Sequence, residues 1–120
     1  MKPGTTFWRR VKYTLIGLGA GTLATPATLL LAFFSAGGGH GDYLWAKVFF
    51  PYAMILPVLR DENISGALIV FSCVQFTLYG GLIGAFAVSR KCAMRMAAVI
   101  GTVHAIAAVI SFSAHTRNFS

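Results

Sequence analysis

Three long stretches of the chain are apolar and contain no Asp, Glu, Lys or Arg: residues 14–34, 64–88 and 97–114. A helix needs about 20 mostly apolar residues to cross a bilayer, and each stretch is near or above that length. A fourth apolar stretch, residues 48–59, is shorter and contains Pro51 and Pro57. The pattern predicts an all-α integral membrane protein, with three transmembrane helices in a single transmembrane domain over residues 1–120.

The short stretch 48–59 needs a different explanation from the long ones. As a helix it would be about 18 Å long, whereas the hydrocarbon core is about 30 Å thick. Its two prolines disturb a helix, and Lys47 and Arg60 flank it. We therefore predict a re-entrant or interfacial segment on the outer face. Its backbone needs hydrogen-bond partners from protein or water, because lipid offers none.

Basic residues indicate the orientation, because Lys and Arg are concentrated in cytoplasmic loops. With three spans, the N-terminal side holds seven of them: Lys2, Arg9, Arg10, Lys12, Arg90, Lys91 and Arg95. The other side holds three, together with all three acids: Lys47, Arg60, Arg117, Asp42, Asp61 and Glu62. If residues 48–59 also crossed, the split would be six to four. The three-span topology is favoured, with the N-terminus cytoplasmic and the C-terminus periplasmic or extracellular.

Composition agrees with a membrane protein and excludes a separate soluble domain. The chain of 120 residues is 57% hydrophobic and 11% charged, whereas soluble domains have about 25% charged residues. The net charge of +7 would suggest nucleic acid in a soluble protein. Here the basic residues lie at the ends of the apolar stretches, which indicates membrane lipids as partners and no nucleic acid.

Small residues recur at four-residue spacing within the long stretches, a pattern that lets helix backbones approach closely. The predicted packing residues are Gly17 and Gly21, Gly80 and Gly84, and Gly101 between Ala97 and Ala105. In the three-span topology all of them fall in the cytoplasmic half. We therefore expect the three spans to converge there.

Two polar residues lie at matching depth within the predicted spans. Gln75 shares a helical face with Ser72 and Tyr79, and His104 lies in the last span. Both would be about 15 Å below the outer surface, which predicts an intramembrane hydrogen-bonded pair of Gln75 and His104. Ionisable groups inside a membrane are often functional. A structural bond between helices, worth about 1 kcal/mol, is favoured because no acid lies within the spans to complete a proton relay.

Histidines also raise the question of metals and cofactors. His40, Asp42 and His115 would lie near the outer surface and could form a small metal site, although a turn with a solvated His40 is favoured because fixed ligand spacing is missing. His104 is the candidate residue for binding haem or quinone. His104 and His115 are about 16 Å apart along one helix, so both cannot bind one haem, and such a cofactor would be held with a partner subunit. No cofactor is expected in this chain alone.

Four short motifs run along most of the sequence: residues 39–41 (Gly-His-Gly), Phe50 with Pro51, residues 75–80 (Gln-Phe-Thr-Leu-Tyr-Gly) and His104. In this combination the chain resembles a group of small bacterial inner-membrane proteins. The resemblance implies a bacterial inner-membrane location, and no activity is attached to that group.

Three functional hypotheses fit these features. The first is a non-catalytic accessory or assembly subunit of a larger membrane complex, which binds its partners through lipid-embedded helix faces and is not an enzyme. The second is a subunit of a redox complex that contributes His104 to a haem or quinone site. The third is a small homo-oligomeric channel or transporter, because three spans cannot enclose a pore alone.

The topology predicts that Arg90 and Lys91 face the cytoplasm and that residues 39–42 face outside. Cys73 and Cys92 would first be replaced by Ser, and one new Cys placed at His40 or at Lys91. In intact cells a membrane-impermeant thiol reagent should label His40→Cys and not Lys91→Cys. The reverse pattern would contradict the three-span topology.

Overall fold

The computed structural model describes residues 3–37, 43–60 and 66–114. Of these residues, 93% are helical and none lies in a strand. The helices are α1 (Pro3–Ala36), α2 (Leu44–Phe49), α3 (Pro51–Arg60), α4 (Gly66–Ala85) and α5 (Arg90–Ser113). The predicted all-α fold is confirmed.

Three of these helices, α1, α4 and α5, are long and apolar enough to span a membrane. They carry most of the large apolar side chains that the chain leaves exposed, among them Leu23, Phe33, Leu78 and Val103. In water such surfaces would be unfavourable, whereas in a bilayer they meet lipid tails. The chain is a multi-pass membrane protein.

The helix ends differ from the ends of the apolar stretches. Helix α1 begins at Pro3 and α5 at Arg90, each before its apolar stretch, while α4 ends at Ala85. Lys and Arg favour the helical conformation, so the basic segments extend the helices beyond the apolar residues. Apolarity marks where a chain enters lipid, and it does not mark where the helical backbone begins.

The short apolar stretch forms two helices, α2 and the Pro-containing α3, separated by Phe50. The buried residues of this segment lie from Phe50 onward, and α2 itself has none. Phe50 is 3% exposed, and Pro51, Ala53 and Met54 are also buried. A predicted short Pro-containing segment is therefore confirmed, and its burial shows that protein rather than solvent surrounds it.

The fold consists of two compact units, and each takes in part of α1, α4 and α5. The first unit comprises Met1–Thr25 and Val74–Thr102, and the second Pro26–Cys73 and Val103–Ser120. The buried apolar side chains of the second unit are Ala32, Phe50, Ala53, Met54 and Ala107. Whether the whole chain behaves as one domain stays a prediction.

In the first unit, α1 and α4 pack with their backbones in contact. A Cβ atom added to Gly17 would overlap the carbonyl oxygen of Gly80, and one added to Gly80 would overlap that of Gly17. A Cβ at Gly21 would meet the carbonyl of Phe76, and one at Gly84 that of Tyr13. The structure thus brings four of the predicted packing glycines into one helix–helix contact.

A pair of hydroxyl groups lies beside this contact. The Oγ1 atoms of Thr22 on α1 and Thr77 on α4 are 3.0 Å apart. Thr22 also donates to the carbonyl oxygen of Leu18, one turn earlier in its own helix. Because no water is available inside a bilayer, a hydroxyl that finds both a backbone and a cross-helix partner supports the packing.

Gly101 departs from the predicted convergence of all three spans. It is exposed, and a Cβ added there would meet nothing within 4 Å. The prediction for Gly101 is therefore wrong for contacts within the described chain. Glycine is frequent in membrane helices, so its spacing alone does not show which small-residue faces the chain fills itself.

We predict that Gly17→Ala destabilises the protein and that Gly19→Ala does not. The added methyl group at Gly17 has no room beside Gly80, and overpacking of this kind costs about 1–3 kcal/mol. Gly19 lies on the same helix with open space around it, so it is a matched control. Thermal unfolding in detergent, followed by circular dichroism, measures the difference. Equal unfolding temperatures for both variants would contradict the close backbone contact.

Candidate functional site

The end of α2 leaves backbone carbonyl groups without their usual helical donors. In an α-helix the carbonyl of one residue accepts the N–H of the residue four positions later. For Lys47 that residue is Pro51, which has no N–H. Phe50 adopts φ −127° and ψ 51°, outside the helical region, and so interrupts the helix beside Val48. A buried carbonyl in this position needs another donor.

Two side chains of α5 supply donors to these carbonyls. Nε2 of His104 lies 2.8 Å from the carbonyl oxygen of Val48. Oγ of Ser111 lies 3.2 Å from the carbonyl oxygen of Lys47 and 2.7 Å from that of Ala108 in its own helix, so its one proton is shared. We call His104 and Ser111 the α5 donors. Their seven-residue spacing puts them on one face of α5, two turns apart.

The bond to Val48 defines the tautomer of His104. A carbonyl oxygen only accepts, so Nε2 must carry the proton. The His104 ring is half-buried and makes an edge-to-face contact with the Tyr52 ring, with 6.2 Å between centroids. Tyr52 makes a second such contact, at 6.3 Å, with Phe71 of α4. Tyr52 therefore connects α3 to both α4 and α5.

Lys47 is held at its side chain as well as at its backbone. Its ammonium nitrogen Nζ lies 5.7 Å from the ring centroid of Phe112, within the range of a cation–π interaction. Phe112 follows Ser111 directly, so consecutive residues of α5 contact Lys47. A long apolar stem with a charged end suits a position near the membrane interface.

The entry to α2 has its own backbone constraint. Tyr43 precedes the helix with φ 55°, a left-handed conformation that is uncommon for a residue other than glycine. Its N–H lies 3.4 Å from the carbonyl oxygen of Ser35 near the end of α1. The bond connects α2 to the helix before it in the chain. The segment is thus held at both ends of α2.

This arrangement fixes a short interrupted helix against a long one. Both α5 donors face backbone carbonyls, and Ser111 is 2% exposed. A metal ion or haem iron at Nε2 of His104 would first have to displace the Val48 carbonyl. In this geometry His104 has a structural role, as a donor to the Val48 carbonyl. A role for His104 in binding haem or quinone stays a prediction.

The side chain of Gln75 is fully buried, at 1% exposed. Its Oε1 accepts no hydrogen bond from the described residues, although the residue makes another polar or ring interaction. Ser72, on the same face, donates to the carbonyl of Leu68 in its own helix. The ring of Tyr79 contacts that of Phe76 edge to face at 5.9 Å. The predicted pair of Gln75 and His104 stays a prediction.

The predicted metal site of His40, Asp42 and His115 lies outside the described residues. Among residues 3–37, 43–60 and 66–114, no group of three His, Cys, Asp or Glu side chains could hold a metal ion. Cys73 and Cys92 are both free thiols.

Sequence reasoning did not find Ser111 or the carbonyl groups that the α5 donors serve. Two signals were present. Pro51 follows Lys47 by four residues, which identifies a carbonyl without a helical donor. Ser111 follows His104 by seven residues, which puts a hydroxyl on the same face as the imidazole.

Comparison of the chain with protein-family models, with curated proteins and with solved structures finds no match. The resemblance of its motifs to small bacterial inner-membrane proteins therefore stays an expectation from the sequence.

We predict that Ser111→Ala destabilises the protein more than Ser113→Ala. The first change leaves the carbonyl of half-buried Lys47 without its side-chain donor, and an acceptor left unsatisfied away from water costs about 1–3 kcal/mol. Ser113 is exposed and donates to Val109 within its own helix, so it controls for the loss of a hydroxyl. Unfolding in detergent with increasing denaturant gives both free energies. A loss for Ser111→Ala no larger than for Ser113→Ala would refute the importance of this bond.

Proposed function

We propose that the protein is a non-catalytic accessory or assembly subunit of a larger membrane protein complex in the bacterial inner membrane. Its N-terminus would lie in the cytoplasm and its C-terminus in the periplasm. It would bind a partner subunit through a lipid-embedded face of α5.

The observation that carries the proposal is the exposed small-residue face of α5. Ala97, Gly101 and Ala105 are all exposed, and nothing lies within 4 Å of a Cβ added to Gly101. By contrast, Gly17 and Gly21 of α1 and Gly80 and Gly84 of α4 are used in contacts inside the chain. A small-residue face provides close backbone packing when another helix lies on it. Lipid tails gain nothing comparable from it, so a helix of a partner subunit is the occupant we propose.

The polar groups support a structural rather than a chemical role. His104, the ionisable residue within the last span, donates to the backbone of α2, and so does Ser111. His104 donates the proton of Nε2 to a backbone carbonyl and so connects α5 to α2, which is a structural role.

The charge distribution supports the orientation. Seven of the ten Lys and Arg residues fall on the N-terminal side when α1, α4 and α5 cross the membrane. Positive residues are retained on the cytoplasmic side of inner-membrane proteins.

The proposal predicts that Gly101→Leu releases the protein from its complex without unfolding it. A tagged chain would be purified from its native host in mild detergent and its particle mass measured by native electrophoresis. We expect wild-type protein in a particle larger than the chain, and at least a tenfold loss of that particle for Gly101→Leu. Gly19→Leu is the matched control, because Gly19 is also an exposed helical glycine with open space around it. The Gly19→Leu variant should still be found in the larger particle.

Three outcomes would overturn the proposal. The first is a monomeric wild-type particle. The second is a particle that contains only copies of this chain, which favours the homo-oligomeric channel or transporter. The third is equal loss of the particle for Gly101→Leu and Gly19→Leu. A visible absorption spectrum of the purified particle, repeated with His104→Phe, separates the redox-subunit alternative, because only that alternative expects a haem band that depends on His104.

A further inference from the structure

A cavity of about 300 Å³ lies in the first unit, between the start of α1 and the turn that joins α4 to α5. Its volume is at the lower end of the range for small-molecule sites, about 300–1,000 Å³. It is lined by Arg9, Tyr13, Ala87, Ser89, Arg90 and Ala93. Two arginines and two residues with hydroxyl groups thus line one concave surface.

No negative charge of the first unit competes for these guanidinium groups. Residues 1–25 and 74–102 contain seven Lys or Arg residues and no Asp or Glu. Arg9 and Arg90 therefore have no carboxylate partner in the described part of this unit. A cavity with two arginines and no acid attracts an anion.

Local contacts hold the polar groups in place. The Cζ atom of Arg9 lies 6.0 Å from the ring centroid of Tyr13, which positions the guanidinium over the ring. Ser89 caps α5, since its Oγ accepts the N–H of Cys92 at 3.2 Å and its carbonyl accepts that of Ala93 at 3.0 Å. The first turn of this 24-residue helix adds a partial positive charge beside Arg90.

The position of the cavity along the chain indicates the depth of its ligand. Tyr13 directly precedes the apolar stretch that begins at residue 14, and Ser89 directly follows the stretch that ends at residue 88. Both sides of the cavity therefore lie where charged residues give way to apolar ones. In a bilayer this is the depth of the lipid headgroups.

We propose that this cavity binds the phosphate group of an anionic phospholipid. Arg9 and Arg90 donate to the phosphate oxygens, since the planar guanidinium matches phosphate geometry and donates charge-assisted hydrogen bonds. Tyr13 and Ser89 offer hydroxyl groups beside them. Ala87 and Ala93 form apolar walls, and Phe86 and Met94 next to them are exposed, which suits the glycerol and acyl part of a lipid rather than a free ion.

The test measures lipid-dependent thermal stability of the full chain in uncharged detergent. A ligand that binds only the folded state raises the unfolding temperature, and the rise grows with the ratio of ligand concentration to dissociation constant. Phosphatidylglycerol, phosphatidylcholine and inorganic phosphate would be titrated separately. We expect phosphatidylglycerol to raise the unfolding temperature. Phosphatidylcholine should need at least tenfold higher concentrations for the same rise. Inorganic phosphate should give no comparable rise.

The double variant Arg9→Gln with Arg90→Gln should require at least tenfold more phosphatidylglycerol for the same rise in unfolding temperature. The double variant Arg10→Gln with Arg95→Gln removes the same charge from exposed residues outside the cavity, and should change the value less than threefold. If the cavity variant is unfolded without lipid, Arg9→Lys with Arg90→Lys replaces it. This variant keeps the charge, loses the paired donors, and should still require at least threefold more lipid.

Equal losses in the cavity and control variants would overturn the site, because general surface charge would then explain binding. Equal stabilisation by phosphatidylcholine and phosphatidylglycerol would also overturn it. Stabilisation by inorganic phosphate at the same concentrations as the lipid would refute the lipid and identify a free phosphate as the ligand.

Discussion

Inside a bilayer a backbone carbonyl has no water to accept from, and this constraint governs the α2–α3 segment. Pro51 removes the N–H that the carbonyl of Lys47 would otherwise accept, and Phe50 breaks the helix beside Val48. The chain can keep such a segment buried only if other donors reach these carbonyls. His104 and Ser111 do so from α5, which explains why polar residues occur on an otherwise apolar helix. Pro51 and the two donors His104 and Ser111 are thus parts of one arrangement.

The contact between α1 and α4 lies in the same apolar environment and is stabilised by a different interaction. Apolar side chains gain little from leaving lipid for protein, because both surroundings are apolar. Close approach of backbones at Gly17 and Gly80 instead provides van der Waals contact that lipid cannot match, and the paired hydroxyls of Thr22 and Thr77 add a polar interaction. The first unit is therefore stabilised by glycines, because their lack of a side chain lets the backbones of α1 and α4 approach closely. The second unit is stabilised by side-chain donors of α5 that bond to the carbonyl groups where α2 ends.

Much of this architecture could be predicted from the sequence, because it follows from the length of apolar stretches and the spacing of small residues. The three long helices, the short Pro-containing segment and the small-residue contact of Gly17 with Gly80 are of this kind. The partners of Lys47 and Val48 were not predicted, since they depend on the rotation of α5 about its axis. The prediction for Gly101 was wrong for a related reason. The spacing of small residues defines a face of a helix, and only the tertiary structure shows what covers that face.

Some small and polar residues of the chain are used in its own helix packing, and others are left exposed. Gly17 and Gly80 pack against each other, whereas Gly101 has open space around it and the arginines of the cavity contact no carboxylate of the described residues. An exposed glycine in a transmembrane helix lowers helical propensity, and arginines without a carboxylate concentrate positive charge. Neither feature stabilises the isolated chain. Under the two proposals a partner helix would cover the glycine and an anion would fill the cavity, and both features would then be favourable.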